Sequence, residues 1–331
     1  MTASVSVALC TYNGATYIRA QLESILSQQV PRLEVVVSDD GSSDGTLDVV
    51  RDVAQRACES SPERGARIRI IENQAPLGVA ANFEQAILAC SYGIIALSDQ
   101  DDIWLPGRLE ALVDRIEADD TLALLHSNAR MVGENGGSLG YRLSEAINLT
   151  ESEVALIHGE NGFDVLLRRN VVTGATMVMR AELASRAFPI PEGWLHDEWL
   201  AVVAAVTARF DFLDIDSIDY RQHGNNQIGQ LRPDLAHNLG RLTEPRTARN
   251  HRLLVRATGL AEWVRGLTDL VSPRDVKLIE GKLAHEQMRS SLPMRRLPRL
   301  LPVVREAQGG AYGRFGNGKI DILRDLVQPA R

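Results

Sequence analysis

One stretch constrains what the rest of the chain can become. The apolar run Ile94-Ile95-Ala96-Leu97 ends abruptly in Ser98-Asp99-Gln100-Asp101-Asp102-Ile103-Trp104, which sets three carboxylates within four residues. A short apolar run bounded by polar residues reads as a buried strand. Acids at its carboxyl end then lie on the rim of a sheet, where open α/β folds bind ligands. Carboxylates this close repel one another unless a cation joins them, and hard oxygen donors suit Mg²⁺ or Mn²⁺. An acidic turn capping the helix that begins near Pro106 is the other reading of the same residues.

The pattern before that stretch alternates regularly. Ser4–Cys10, Leu33–Ser38 and Ile68–Ile71 read as strands, and Tyr17–Gln28, Leu47–Cys58 and Val79–Ala89 as helices. Strand, helix, strand, helix in strict order implies an α/β fold with a parallel sheet and right-handed crossovers. Every polar turn then falls at a strand's carboxyl end. Further on, Thr173–Met179 reads as a strand, and His196-Asp197-Glu198-Trp199 opens an apolar helix. Phe210–Ile215 and Ile218–Arg221 read as two short strands, and Arg246–Arg289 as helical.

The 331 residues suffice for one large domain or two ordinary ones. Charge divides them unevenly. Residues 1–240 hold 18 Lys and Arg against 34 Asp and Glu, whereas residues 241–331 hold 18 against 9. The split marks 241–331 as a distinct basic module, which either meets an anionic partner or docks on the acidic part. Cys10, Cys58 and Cys90 lie far apart, without metal-ligand spacing, and fit a reduced cytoplasm. Met1–Ser4 runs straight into the first strand, so no signal peptide is expected. No apolar run approaches the roughly 20 residues that span a bilayer.

Three further groups carry candidate chemistry. Asp39-Asp40-Gly41 at a strand end can accept from a nucleobase imide or a ribose hydroxyl, or serve as plain turn residues. Asp197 and Glu198 can supply a general base, or cap a helix. His223, in a turn with Asn225 and Asn226, is either structural or a ligand to metal or phosphate. Neither G-x-G-x-x-G nor G-x-x-x-x-G-K-[ST] is present, which argues against dinucleotide and P-loop sites.

Taken together, Thr11-Tyr12-Asn13-Gly14, Asp39–Thr46, Leu77–Asn82 and Ser98–Trp104 resemble the family 2 glycosyltransferases in order and spacing. Trp194–Trp199 and Tyr220–Asn226 resemble a branch of them called rhamnosyltransferase-like. The resemblance covers roughly residues 4–230. It implies the Rossmann-like GT-A fold, a mostly parallel sheet flanked by helices, over 1–240, with 241–331 as a helical extension. It implies an inverting enzyme that moves a sugar from a dTDP- or UDP-sugar to a glycan or lipid-linked acceptor in bacterial surface polysaccharide synthesis.

By the same resemblance Thr11, Tyr12 and Asn13 line the nucleobase pocket, Asp39 bonds the base with Asp40 beside it, and Asn82 falls in the nucleotide-sugar site. Asp99 and Asp101 form the D-x-D motif: Asp101 ligates Mg²⁺ or Mn²⁺, Asp99 supports it, and His223 reaches the metal or the diphosphate. Asp102 stands behind them. Asp197 aligns with the catalytic base, with Glu198 in reserve. The basic tail suits the cytoplasmic face of a membrane, and a homodimer is the other use for it; no nucleic acid is expected. A nucleotidylyltransferase is the enzyme alternative, although Thr11–Thr16 lacks the basic residue such a loop wants, and a binding module without catalysis is the third.

Overall fold

The computed structural model describes residues 3–60, 67–224, 245–267 and 269–329. The chain divides into two compact units. The first comprises Met1–His158, Val172–Ile190 and Leu195–Gln230; the second comprises Gly159–Val171, Pro191–Trp194 and Leu231–Arg331. Two short stretches that the sequence reading places before residue 240 thus gather with the carboxyl-terminal unit. Trp194 shows why: its indole N–H donates to the Arg256 carbonyl at 3.1 Å, and the Arg256 guanidinium lies 4.2 Å over its ring.

The first unit is built on one mixed sheet. Its strands are β1 (Val5–Thr11), β2 (Leu33–Asp39), β3 (Arg67–Glu72), β4 (Ile94–Ser98), β5 (Ile103–Trp104), β6 (Leu122–Val132), β7 (Ser138–Arg142), β8 (Met177–Arg180) and β9 (Arg209–Arg221). They lie in the order β3-β2-β1-β4-β8-β6-β9-β5, with β7 paired to β6. β1 to β4 run parallel, joined by the helices Ile18–Leu26, Thr46–Ser60 and Val79–Leu88. Their near-continuous apolar runs follow from cover on both faces. Val5, Val7, Leu9, Val35 and Val37 join one core with Ile18, Leu22, Ile25 and Val50 from the helices. The alternate residues Ala8, Val36, Ile95 and Leu97 are equally buried on the other face.

Three features of the sheet depart from the sequence reading. β6 carries no clear strand pattern in the sequence because its middle, His126-Ser127-Asn128, is polar. All three side chains are buried, and two are satisfied by neighbours: Ser127 Oγ lies 2.6 Å from Ser217 Oγ, and the Asn128 amide donates to Asp214 and Ser144 at 2.8 Å. The two short strands expected over 210–221 are one strand, β9. Its register against β6 jumps between Ser127 and Asn128. Asp214 and Asp216 at the jump are held by Arg142, at 2.8 and 2.7 Å. Further along, Thr173–Met179 is extended only from Met177, because Gly174–Thr176 closes a 3₁₀ turn.

The second unit contains the helices Arg246–Arg265, Pro273–Ser290, Leu300–Gln308 and Lys319–Val327. The helix expected over 246–289 is two helices. Ser272 caps the second, accepting the Asp275 N–H at 3.0 Å, with Pro273 at its first position. Many of the tail's arginines are spent inside this unit. Arg289 Nε donates to Asp325 Oδ2 at 2.7 Å, the Tyr312 hydroxyl donates to the same oxygen at 2.9 Å, and Arg249 pairs with Asp321. Arg289 and Asp325 are both buried, and Glu286 and Asp321 stand 3.3 and 3.9 Å from the same guanidinium. Among the described residues Arg289 is the cation paired with Asp325, so removing Arg289 strands that carboxylate away from water. Arg289→Met is therefore expected to cost about 3–5 kcal/mol in urea denaturation. The Arg289→Met/Asp325→Leu pair should cost clearly less, because the Asp325 charge is removed with its partner.

Candidate active site

Strand register brings the candidate residues together. In the parallel ladders Thr11 stands opposite Asp39, and Leu9 opposite Ser98. The loops after β1, β2 and β4 therefore leave the sheet side by side at one edge. β5 pairs antiparallel with the end of β9, Ile103 opposite Asp219 and Trp104 opposite Ile218. That pairing folds the acids at 99–102 back toward Arg221 and His223. β8 runs antiparallel to β4, so the turn at Gly174, which precedes it, meets the same edge with the start of the helix His196–Thr207.

A side-chain clasp fixes two of these loops to each other. The Gln100 amide receives the Tyr12 N–H at 2.9 Å and donates to the Tyr12 carbonyl at 3.0 Å. Gly14 lies under it: a Cβ there would stand 2.2 Å from Gln100 Oε1. Asn13, with φ of 49°, turns the loop, and its Oδ1 accepts the Ser43 N–H at 2.9 Å. In the D-x-D pattern residue 100 is the unspecified middle position.

Asp39 and Asp40 are buried and organise backbone. Asp39 Oδ1 accepts the N–H groups of Gly41 and Ser42 at 3.2 and 2.8 Å, and its Oδ2 accepts the Thr11 and Ser42 hydroxyls at 2.6 Å each. Asp40 accepts the N–H groups of Leu77 and Gly78 at 2.7 and 2.9 Å, and the Asn73 amide at 3.2 Å. Asn82 is buried and faces inward. Its amide bonds Ser38, and its Oδ1 accepts from Asn73, joining Asp40's network. Tyr12, by contrast, is exposed.

The acids after β4 crowd against one another and against Asp197. Removal from water, then the charges of Asp101 and Asp197, push the Asp99 carboxyl up to about 7. Asp102 is buried and is raised well above the carboxylate range by that burial, then by Asp101 and Asp99. Its Oδ1 accepts the Arg221 N–H at 2.9 Å, while its Oδ2 has no partner among the described residues. The Tyr220 phenol is raised by burial and then by Asp99, Asp102, Asp101 and Asp197. All four carboxylates thus stand within electrostatic reach of one ring.

Residues that the sequence did not single out position the rest. Arg221 donates to the Asp101 carbonyl at 2.8 Å and to the Glu134 carbonyl at 2.7 Å. Tyr17 stacks on His223 at 4.9 Å. His196 packs on Phe83 at 3.8 Å, and a Cβ at Gly174 would stand 2.6 Å from its Nε2. Burial pulls the His196 imidazole down to about 3, so it is neutral. The ring anchors the first turn of its helix, where Asp197 Oδ1 accepts the Glu198 N–H at 2.7 Å.

A divalent cation fits this donor set. His223 Nε2 and Asp101 Oδ2 lie 2.8 Å apart, close to the spacing of adjacent ligands around an octahedral ion held at about 2.1 Å. Among the described residues no three such side chains stand at ligand spacing. A hard ion held by Asp101 and His223 would complete its shell with water or phosphate oxygens, as Mg²⁺ commonly does.

Two measurements test this geometry. Gly14→Ala should cost about 1–3 kcal/mol of stability by overpacking, and Gln100→Ala should relieve most of that in the double variant. The second is pH dependence without metal. The unfolded chain loses the Asp99 proton near pH 4, whereas the folded chain keeps it to about 7. Between those values the unfolded chain binds fewer protons, so this group's contribution to stability falls as pH rises and levels off above about 7. The stability advantage of Asp99→Asn over the parent should grow across that window in chelator-treated protein. A difference that stays flat would mean that Asp99 ionises normally.

Comparison with known proteins agrees with this architecture. The chain is 29% identical over 236 residues to the dTDP-rhamnosyl transferase RfbG of Shigella flexneri, covering 67% of this chain and 73% of that one. It is 24% identical over 233 residues to an uncharacterized glycosyltransferase of Nostoc sp., covering 67% of this chain and 66% of that one. The chain thus spans about two thirds of the length of such relatives. It is similar in structure to the mannosyltransferase PcManGT from Pyrobaculum calidifontis, solved in complex with GDP-Man and Mn²⁺. The TM-score is 0.53 at 19% identity, covering 95% of this chain and 78% of that one, a likeness that shows the GT-A fold. Residues 6–182 match the family model described as glycosyl transferase family 2, and the chain belongs to that family.

Proposed function

We propose that this protein transfers a sugar from a nucleoside-diphosphate sugar to a hydroxyl of a glycan or lipid-linked acceptor, inverting the anomeric configuration, in bacterial surface polysaccharide synthesis. The observation that carries the reading is the convergence of Asp99, Asp101 and Asp102 with Asp197 at one sheet edge, with Asp99 pushed up to about 7. Such crowding suits a site that receives a cation and a diphosphate together. The likeness to a dTDP-rhamnosyl transferase supports a dTDP- or UDP-sugar donor, with rhamnose as the first sugar to try.

Each residue has a role in this reading. Tyr12, exposed beside the clasp, stacks on the nucleobase, and Thr11 and Asn13 shape the pocket. Asp39 meets the base imide when the Thr11 or Ser42 hydroxyl turns aside to free a lone pair, and Asp40 and Asn82 hold the loops that frame it. Asp101 and His223 hold Mg²⁺ or Mn²⁺, with Asp99 beside them. When bound, the ion offsets the charge that develops on the departing nucleoside diphosphate. Asp197 accepts the proton of the acceptor hydroxyl as that oxygen attacks the anomeric carbon from the face opposite the leaving group. A single displacement inverts the centre and needs no covalent nucleophile.

Asp197→Asn should lower turnover by about 10²–10⁴-fold while leaving donor affinity nearly unchanged; near-full activity would remove Asp197 as the base. Thermal-shift screening of nucleotide sugars with and without Mn²⁺ should give a metal-dependent rise in melting temperature with the true donor, and Asp101→Asn should abolish that dependence. Release of pyrophosphate in place of nucleoside diphosphate would replace this reading with nucleotidyl transfer.

A further inference from the structure

Segment 291–329 of the second unit sorts its charges by depth. Its acids face inward: Asp321 and Asp325 are buried, and Glu306 lies with Oε1 2.6 Å from His285 Nδ1. Its exposed charges are all basic, namely Arg295, Arg296, Arg305, Arg314 and Lys319. Among the described residues none of the five is ion-paired.

Large apolar side chains share this surface. Leu297 is 80% exposed, Leu301 59% and Met294 55%. The helices Leu300–Gln308 and Lys319–Val327 pack on one small core through Val303, Ala307, Ile322 and Leu326. Each also turns a second apolar row to solvent, Leu300, Leu301 and Val304 on one, Ile320, Leu323 and Val327 on the other. An ordinary surface helix hides its apolar stripe and offers polar residues outside. A hollow of about 590 Å³, lined by Met294, Arg295, Leu297 and Pro298 among others, opens on the same segment.

We propose that this face seats on an anionic lipid bilayer, with Leu297, Leu301 and Met294 entering the headgroup–acyl boundary and the five basic side chains meeting lipid phosphates. Apolar residues beside cations, without exposed acids, are the composition of an interfacial surface. Lys and Arg stems lie along apolar surface while their heads stay with water and phosphate. A second copy of the chain is a poor occupant, because a two-fold contact would set this basic face against itself. No helix among the described residues is long and apolar enough to cross a membrane, so the contact is peripheral. The inference accords with a lipid-linked acceptor and does not rest on it.

Sedimentation with sucrose-loaded vesicles tests this without donor or acceptor, so failure here leaves the transfer reading standing. The full chain should pellet with phosphatidylcholine–phosphatidylglycerol vesicles, pellet weakly with phosphatidylcholine alone, and release as salt rises. Arg295→Gln with Arg296→Gln should lower the partition coefficient about 25-fold, about fivefold for each charge. Leu297→Ser with Leu301→Ser should abolish pelleting while the thermal unfolding curve is unchanged. Equal pelleting on both vesicles, none on either, or substitutions that alter oligomer size while vesicles still bind normally, would each overturn it.

Discussion

Repulsion among carboxylates gathered at the end of β4 is the constraint that the rest of the first unit is built to bear. Burial and then the charges of the neighbouring acids push the Asp99 and Asp102 carboxyls upward. The fold answers with one deep cation. Arg108 is buried, stacks 4.1 Å over Trp104, and donates to Ser217 at 3.2 Å. Burial lowers its own pKa to about 9, and the charge of Asp102 opposes that fall. The guanidinium gains only one hydrogen-bonded partner among its described contacts, so its worth lies in the field it sets up at Asp102.

The parts of this architecture that were legible in the sequence are those governed by short spacing. β1, β2 and β4 announce themselves as apolar runs closed by polar turns, and the acids at residues 39 and 99–102 sit where those runs stop. What stayed hidden depends on partners far along the chain. β6 looks too polar for a central strand until Ser217 and Asp214 arrive to satisfy it. The continuity of β9 across Asp214-Ile215-Asp216 needs Arg142. The start of the second helix is written locally, in Ser272-Pro273-Arg274-Asp275, although a helical period runs across 246–289.

Candidate site residues divide along the same line. Type and approximate place could be read for Asp101, Asp197 and His223. That Asp39, Asp40 and Asn82 spend their polar atoms on neighbouring backbone and side chains could not, since the spacing of a turn is the same whether its acid faces a ligand or a loop. Net charge misled in a related way. An excess of arginine over residues 241–331 invites an outward-facing view, yet Arg246, Arg289 and Arg299 are buried within their own unit. Only those left over by that internal pairing are available to the surroundings.

The Gln100 bracket on Tyr12 carries a lesson for engineering. Both polar atoms of residue 12's backbone are held by one amide that sits between two acids, and residue 14 has room for nothing larger than hydrogen. The first loop and the acidic pair are consequently one interlocked unit. A designer who imports a foreign first loop must transplant residues 98–102 with it, or accept a scaffold whose two halves no longer interlock.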